Sequence, residues 1–214
     1  MKIAALDVDP QCTFSPLCPQ ELPVQEGDQI ADALNAQAQL ADLRVLTKDA
    51  HPANALWVVD DPQHMLQPLP HPNADLTWVA HAVPGTRGFE TIPGLPAVTE
   101  YDFVVWKGTE PDLHPYGACY HDLQEKLSTG LIEWLCCQGV THIVLGGLAT
   151  DYCVKTTALQ LQRSGHFTVL LNLAACRGIA PETTALACQE MAAAGVYLCD
   201  NQETLQHTLQ QLTR

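Results

Sequence analysis

Three residues capable of covalent chemistry each stand at or just after an apolar run: Asp9 after IAALDV, Lys107 at the end of FVVWK, and Cys153 after HIVLGGLATDY. Where such runs form neighbouring parallel strands, their carboxyl ends line one crevice, so residues distant in sequence can meet there. A cysteine nucleophile needs a carboxylate to accept its proton and a nearby cation to stabilise the thiolate. Asp9, Lys107 and Cys153 are therefore candidates for nucleophilic cysteine catalysis.

The elements that must position these residues alternate along the chain. Helical patterns, with apolar residues spaced by three and four, cover 28–41, 122–139, 151–165 and 181–195. Between them lie runs typical of strands: KIAALDV, LRVLTK, FVVWK, HIVLGG, FTVLLNL and VYLC. This alternation predicts an α/β fold with three α/β/α layers and a mostly parallel central sheet. The length of 214 residues predicts a single domain over 1–214.

Cys153 has the most distinctive setting of the three candidates. Two glycines and a cap-like Thr150-Asp151 pair precede it, so it should lie in the first turn of a helix, where the dipole lowers a thiol pKa and backbone N–H groups can bind an oxyanion. Ordinary roles remain open for all three. Cys153 can be a buried apolar residue, Asp9 a turn residue with Asp7 as its rival, and Lys107 a lysine that extends to solvent.

The segment from about 50 to 99 shows no clear periodicity, and eight of the fifteen prolines lie between Pro52 and Pro96. We interpret it as a lid or ligand-bearing excursion and not as a second domain. Asp49 and His51 stand two residues apart at the end of a strand, so an extended backbone points both the same way. With His81 they form a candidate metal site, and a strand-end turn with a surface histidine is the alternative. The rival ligands in this segment are Asp60, Asp61, His64 and His71.

Composition argues against several classes of partner. The formal net charge is −14, which repels nucleic-acid backbones and anionic membrane surfaces. We expect no nucleic-acid or membrane partner, since no run approaches the length of a membrane span and MKIAALDVD is too short for a signal peptide. The nine cysteines lack CxxC spacing, which favours reduced thiols and a cytoplasmic location. The sequence leaves open whether the protein is a homo-oligomer.

Taken together, these motifs resemble the isochorismatase-like cysteine hydrolases over nearly the whole chain. The matching segments are VDPQCTF (8–14), TKDAHP (47–52), HAVPGT (81–86), WKGT (106–109) and GLATDYCV (147–154). Two departures stand out: Cys12-Thr13 replaces a more common Asn-Asp pair, and Ala82 replaces a common cysteine. The three catalytic and three metal positions are intact.

The resemblance implies a reaction and a set of residue roles. D-x-H-P together with a downstream histidine points to the metal-dependent members that hydrolyse nicotinamide to nicotinate and ammonia in NAD salvage, with pyrazinamide as a further substrate. Cys153 would attack the amide, Asp9 would carry the proton and Lys107 would stabilise the thiolate. The oxyanion would lie against the N–H groups of Ala149 and Cys153, with a cis peptide between Leu148 and Ala149.

The resemblance also implies how the substrate ring is held. A divalent metal bound by Asp49, His51 and His81 would orient the pyridine nitrogen; we expect zinc, with iron or manganese as alternatives. The implied ring contacts are Phe14, Trp78, Tyr116 and Tyr152. Two other functions stay open: hydrolysis of another small amide or carbamoyl compound, and a non-catalytic metal-binding or interaction protein with a degenerate site.

Overall fold

A parallel six-stranded sheet forms the centre of the computed structural model, which describes residues 1–212. The strands in chain order are β1 (Ile3–Val8), β2 (Leu43–Asp49), β3 (Pro68–His71), β4 (Ala74–Leu76), β5 (Phe103–Lys107), β6 (His142–Leu148), β7 (Thr168–Arg177) and β8 (Tyr197–Cys199). The central sheet has the order β5-β2-β1-β6-β7-β8, and β3 and β4 pair separately as an antiparallel hairpin. All six predicted strands are confirmed. Every residue of β1 is buried, as expected for a central strand covered on both faces.

Five helices cover the two faces of the sheet: α1 (Ala31–Ala38), α2 (Leu131–Cys137), α3 (Lys155–Arg163), α4 (Pro181–Ala193) and α5 (Gln202–Leu212). Leu135 of α2, Leu161 of α3 and Met191 of α4 share one buried cluster with strand residues. On the other face, Leu34 of α1 and Leu205 of α5 are buried in separate clusters. The predicted three-layer α/β/α architecture is confirmed.

The helix predicted over 122–139 is wrong in its first half, because α2 begins only at Leu131. The carboxylate of Asp122 accepts hydrogen bonds from the amides of Lys126 and Leu127, at 2.9 and 2.8 Å, and so closes a turn. Gly130 then has φ +84°, a left-handed conformation that separates this turn from the helix. Local side-chain bonds therefore replace the first helical turns.

The excursion contains more regular structure than its sequence indicates. The β3–β4 hairpin lies within it, and Ala55, Trp57, Ala74 and Trp78 form a small buried cluster there. Among residues 1–212, no helix combines the length and apolar character that a membrane span requires.

The order of the strands determines where a ligand can bind. The chain runs outward from β1 in both directions, to β2 and β5 on one side and to β6, β7 and β8 on the other. In open parallel sheets, ligands bind beyond the carboxyl ends of the strands at this switch point. Asp9 follows β1, Lys107 ends β5, and Cys153 follows β6.

Candidate active site

The structure brings Asp9, Lys107 and Cys153 together beyond the carboxyl ends of the strands. Nζ of Lys107 lies 2.9 Å from Oδ2 of Asp9 and 3.6 Å from Sγ of Cys153. Asp9 and Lys107 are fully buried, and Cys153 is 6% exposed. This proximity is what the sequence predicts for a cysteine nucleophile with its base and cation.

The backbone at Asp9 turns out of the strand, with φ +44°. Its amide donates to the carbonyl of Thr47 at 3.1 Å, and the hydroxyl of Thr47 donates to Oδ1 of Asp9 at 2.6 Å. These bonds leave Oδ2 directed toward Lys107. The rival residue Asp7 instead contacts Arg44 at 2.7 Å and the hydroxyl of Tyr101 at 2.9 Å. The structure therefore places Asp9, and not Asp7, beside the other catalytic candidates.

Cys153 lies in one π-helical turn, Thr150–Val154, that leads into α3. The amide of Val154 donates to the carbonyl of Ala149 at 3.2 Å, the five-residue spacing of a π turn. The carboxylate of Asp151 anchors this turn, since it accepts from the amide of Ile179 at 3.0 Å and from the hydroxyl of Thr183 at 2.5 Å. The peptide bond between Leu148 and Ala149 is cis, as the resemblance implies.

Burial dominates the electrostatics of these groups. It raises the pKa of the Asp9 carboxyl and of the Cys153 thiol, and the nearby Lys107 ammonium offsets only part of either shift. For Lys107 burial would lower the pKa, but the carboxylates of Asp49 and Asp9 hold it well above its ordinary value. The prediction of a lowered thiol pKa is therefore wrong. Because burial disfavours the thiolate, the Cys153 thiol depends on a nearby base when it attacks.

A pocket beyond the strand ends opens onto Cys153. All four predicted ring contacts line it: Phe14, Trp78, Tyr116 and Tyr152. The hydroxyl of Tyr116 donates to Asp75 at 2.8 Å, which connects the pocket wall to the β3–β4 hairpin. Leu22 and Ile179 also line the pocket, and sequence reasoning did not identify them. Aromatic walls suit a small planar ring.

Three buried imidazoles form a second group beside the pocket. One ring nitrogen from each of His51, His81 and His114 lies within 4.8 Å of the other two. Nδ1 of His51 lies 3.0 Å from the carbonyl of Gly108, and Nδ1 of His81 lies 2.8 Å from the carbonyl of Val79. When Nδ1 donates to a carbonyl, Nε2 keeps a lone pair for a metal. The donor set therefore fits a divalent transition metal.

Asp49 lies between the imidazole group and the catalytic group. Its Oδ1 is 3.4 Å from Nε2 of His51 and also contacts Nζ of Lys107, and its carboxylate lies within 4.8 Å of Asp9 and Cys153. The structure thus brings together the predicted ligands Asp49 and His51, and sets His81 beside His51. Within residues 1–212, the rivals Asp60, Asp61, His64 and His71 belong to neither group.

Sequence reasoning missed His114. It stands two residues before Tyr116, a predicted ring contact, and the two rings lie 5.1 Å apart in the structure. Residues i and i+2 of an extended segment share a side, so the spacing in LHPY was a usable signal.

Thr13 stands where related sequences more often have an aspartate, and a carboxylate from elsewhere in the chain lies beside it. Oε2 of Glu21 accepts from the hydroxyl of Thr13 at 2.6 Å and from the amide of Ala82 at 3.0 Å. Ala82 follows His81 and has φ +49°. Glu21 therefore holds the turn that carries His81. No motif in the sequence marked this residue.

A doubly wound sheet with a buried acid, lysine and cysteine at its switch point defines a class of α/β hydrolases. The chain belongs to the isochorismatase family, whose domain matches residues 8–203. It is similar to a nicotinamidase of Acinetobacter baylyi, with 31% identity over 199 residues that cover 90% of each chain.

Two solved structures extend this similarity. The nicotinamidase/pyrazinamidase of Acinetobacter baumanii has a TM-score of 0.83 and 28% identity, covering 95% of this chain and 98% of that one. The pyrazinamidase of Pyrococcus horikoshii in complex with zinc has a TM-score of 0.73 and 30% identity, covering 93% of this chain and 99% of that one.

Proposed function

We propose that this protein is a nicotinamidase, which hydrolyses nicotinamide to nicotinate and ammonia as a step of NAD salvage, and that it also deamidates pyrazinamide. The observation that carries the proposal is the contact of Lys107 with both Asp9 and Cys153, next to a pocket with aromatic walls. The similarity to nicotinamidases over most of the chain supports the choice of substrate.

In the first half of the reaction, Sγ of Cys153 attacks the amide carbon and its proton passes to Asp9. The oxyanion lies against the N–H groups of Ala149 and Cys153. Asp9 then returns the proton to the amide nitrogen, the C–N bond breaks and ammonia leaves, which yields a thioester. The raised pKa of the Asp9 carboxyl suits this role, because it makes the carboxylate a stronger base than an ordinary aspartate.

In the second half, water attacks the thioester while Asp9 accepts one of its protons. The C–S bond breaks, nicotinate is released and the thiolate is reprotonated. Lys107 remains cationic throughout, so it can stabilise the thiolate and hold the carboxylates of Asp9 and Asp49 in place.

We propose Asp49, His51 and His81 as ligands of one divalent metal ion, with zinc expected and iron or manganese as alternatives. When bound, the metal supplies a Lewis acid that orients the pyridine nitrogen. Phe14, Trp78, Tyr116 and Tyr152 would hold the ring between them. The zinc complex of the similar pyrazinamidase supports the choice of metal.

The proposal also covers the domain organisation, the cellular location and the partners of the protein. We propose one domain over 1–214 that carries the 50–99 excursion, supported by the family match over 8–203; Thr213 and Arg214 lie outside the described residues. All nine cysteines are free, which supports a reducing, cytoplasmic location. The absence of nucleic-acid and membrane partners stays a prediction, and whether the protein is a homo-oligomer stays open.

The test is an ammonia-release assay on nicotinamide, with and without chelator treatment. Cys153→Ala should remove the activity but keep the fold and metal content, because a small residue replaces the thiol. Mass spectrometry of wild-type protein quenched during turnover should find an acyl adduct on Cys153. An adduct on any of the other eight cysteines would contradict the assignment. Release of ammonia from another small amide, but not from nicotinamide, would favour the alternative hydrolase function.

A further inference from the structure

The proposed reaction leaves the buried residue His114 without a role. It is 4% exposed and lies in the connection that follows β5. Its amide donates to the carbonyl of Asn73, at the tip of the β3–β4 hairpin, at 2.7 Å. The indole of Trp57 donates to the carbonyl of the preceding Leu113 at 2.9 Å. The excursion therefore fixes the backbone that carries the His114 ring.

Neither ring nitrogen of His114 has a hydrogen-bond partner in the part of the chain that the structure describes. Leaving a buried polar group unpaired costs about 1–3 kcal/mol, so such a group calls for a ligand. Nε2 of His51 also lacks a close hydrogen bond and has Oδ1 of Asp49 at 3.4 Å.

The three imidazoles form one group of candidate ligands. The candidate ligand atoms of His51, His81 and His114 lie within 4.8 Å of one another, a spacing that one central ion can bridge. The His114 ring stacks on His51, with centroids 5.0 Å apart and an interplanar angle of 20°. The ring of Trp78 is also nearly parallel to that of His114, at 5.8 Å and 18°. These contacts fix the plane of the ring, but they satisfy neither of its nitrogens.

We propose that His114 is a further ligand of the metal ion, so that this chain offers three imidazoles together with the carboxylate of Asp49. The proposal rests on the metal site of the proposed function. It also bears on metal identity. Imidazole ligands suit zinc and iron, whereas manganese prefers oxygen ligands, so a third imidazole shifts selectivity toward zinc and iron.

The experiment measures metal binding and not turnover. X-ray absorption at the zinc edge of the zinc-loaded wild-type protein counts imidazoles from their outer-shell scattering, without any substitution. In parallel, zinc affinity is measured by chelator competition for wild type, His114→Ala, His51→Ala and the control His64→Ala, whose exposed ring lies on the same excursion. Circular dichroism checks that each variant is folded.

We expect three imidazoles in the wild type and two in His114→Ala. Loss of a direct ligand should lower zinc affinity at least about tenfold, as even the loss of an outer-shell partner does, and should reduce the preference for zinc over manganese. His64→Ala should bind zinc like wild type.

Two imidazoles in the wild type would overturn the proposal. So would an unchanged zinc affinity in His114→Ala while His51→Ala loses the metal; His114 would then serve only as a stacking partner in the pocket wall, and the metal of the proposed function would stand. Conversely, three imidazoles in a protein that releases no ammonia from nicotinamide would support the ligand set and refute the proposed substrate.

Discussion

The carbonyl oxygen of Gly108 lies 3.0 Å from Nδ1 of His51, and the α-carbon of Gly108 faces the same ring so closely that a Cβ there would collide with Cε1 and Nδ1. Gly108 directly follows Lys107, the centre of the catalytic group. Two adjacent residues therefore position the catalytic ammonium and one imidazole of the candidate metal site. Only glycine combines its φ of +68° with this close approach.

We predict that Gly108→Ala lowers metal affinity about ten- to a hundredfold, because it displaces an imidazole through its outer-shell partner. Gly130→Ala is the matched control: its φ of +84° imposes similar backbone strain, but nothing lies within 4 Å of the added Cβ. Chelator competition measures both. If both variants lost metal affinity equally, backbone strain, and not collision with His51, would be the cause of the loss at position 108.

Asp9→Asn and Lys107→Ala should each lower kcat at least about a hundredfold, the scale of a lost general base, and the double variant should be little worse than either. Asp7→Asn should instead lower the melting temperature and leave kcat near wild type, because Asp7 pairs with Arg44 and Tyr101. Steady-state kinetics and thermal melts separate the two effects. If Asp7→Asn were the change that removes turnover, the proton carrier would have been misassigned.

The pH dependence of Cys153 alkylation tests the electrostatics directly. Because burial raises the pKa of this thiol, its reaction with iodoacetamide should keep accelerating as the pH rises past about 8.5, where an ordinary thiol begins to level off. At pH 7, Lys107→Ala should slow the reaction, since a stabilising charge is lost. Asp9→Asn should slow it as well, since the base that accepts the thiol proton is lost. Peptide mapping isolates Cys153 from the other cysteines, and a plateau below about pH 8 would contradict the raised pKa.

Removal of the metal should raise the KM for nicotinamide more than it changes the reactivity of Cys153. The metal held by the imidazole group is proposed to orient the substrate ring, whereas Lys107 contacts the thiol itself. His51→Ala should accordingly weaken substrate binding while Cys153 is alkylated at a near-normal rate. A slowing of alkylation by about a hundredfold, equivalent to roughly 2.7 kcal/mol, would place the metal in the activation of the nucleophile.

The sheet was predictable because each buried parallel strand has a local hydrophobic pattern in the sequence. All six strands appear as short apolar runs, and the acid, lysine and thiol stand at or just beyond three of their carboxyl ends. Helix α5 was missed although its signals are local: the side chain of Asn201 accepts from the amide of Thr204 at 2.9 Å, and Leu205 and Leu209 follow at helical spacing.

The parts of the site that the sequence did not predict depend on contacts between distant segments. His114 joins His51 and His81 only because the hairpin and Trp57 fix its backbone. Glu21 reaches Ala82 across about sixty residues of chain, a contact that no spacing rule anticipates. The thiol pKa was predicted from the helix start alone, but burial, which a sequence does not quantify, outweighs that effect.

The buried cluster of Ala55, Trp57, Ala74 and Trp78 shares no fully buried residue with the clusters that cover the sheet, and partly buried residues such as Tyr152 join them. A small core of this kind can open while the larger one stays folded. The protein should therefore consist of two cooperative units of unequal stability, and mild denaturant should release the excursion first. Activity and the fluorescence of Trp57 and Trp78 would then be lost before the helical circular dichroism signal, in a state that keeps its nucleophile but no longer has the wall against which the ring binds.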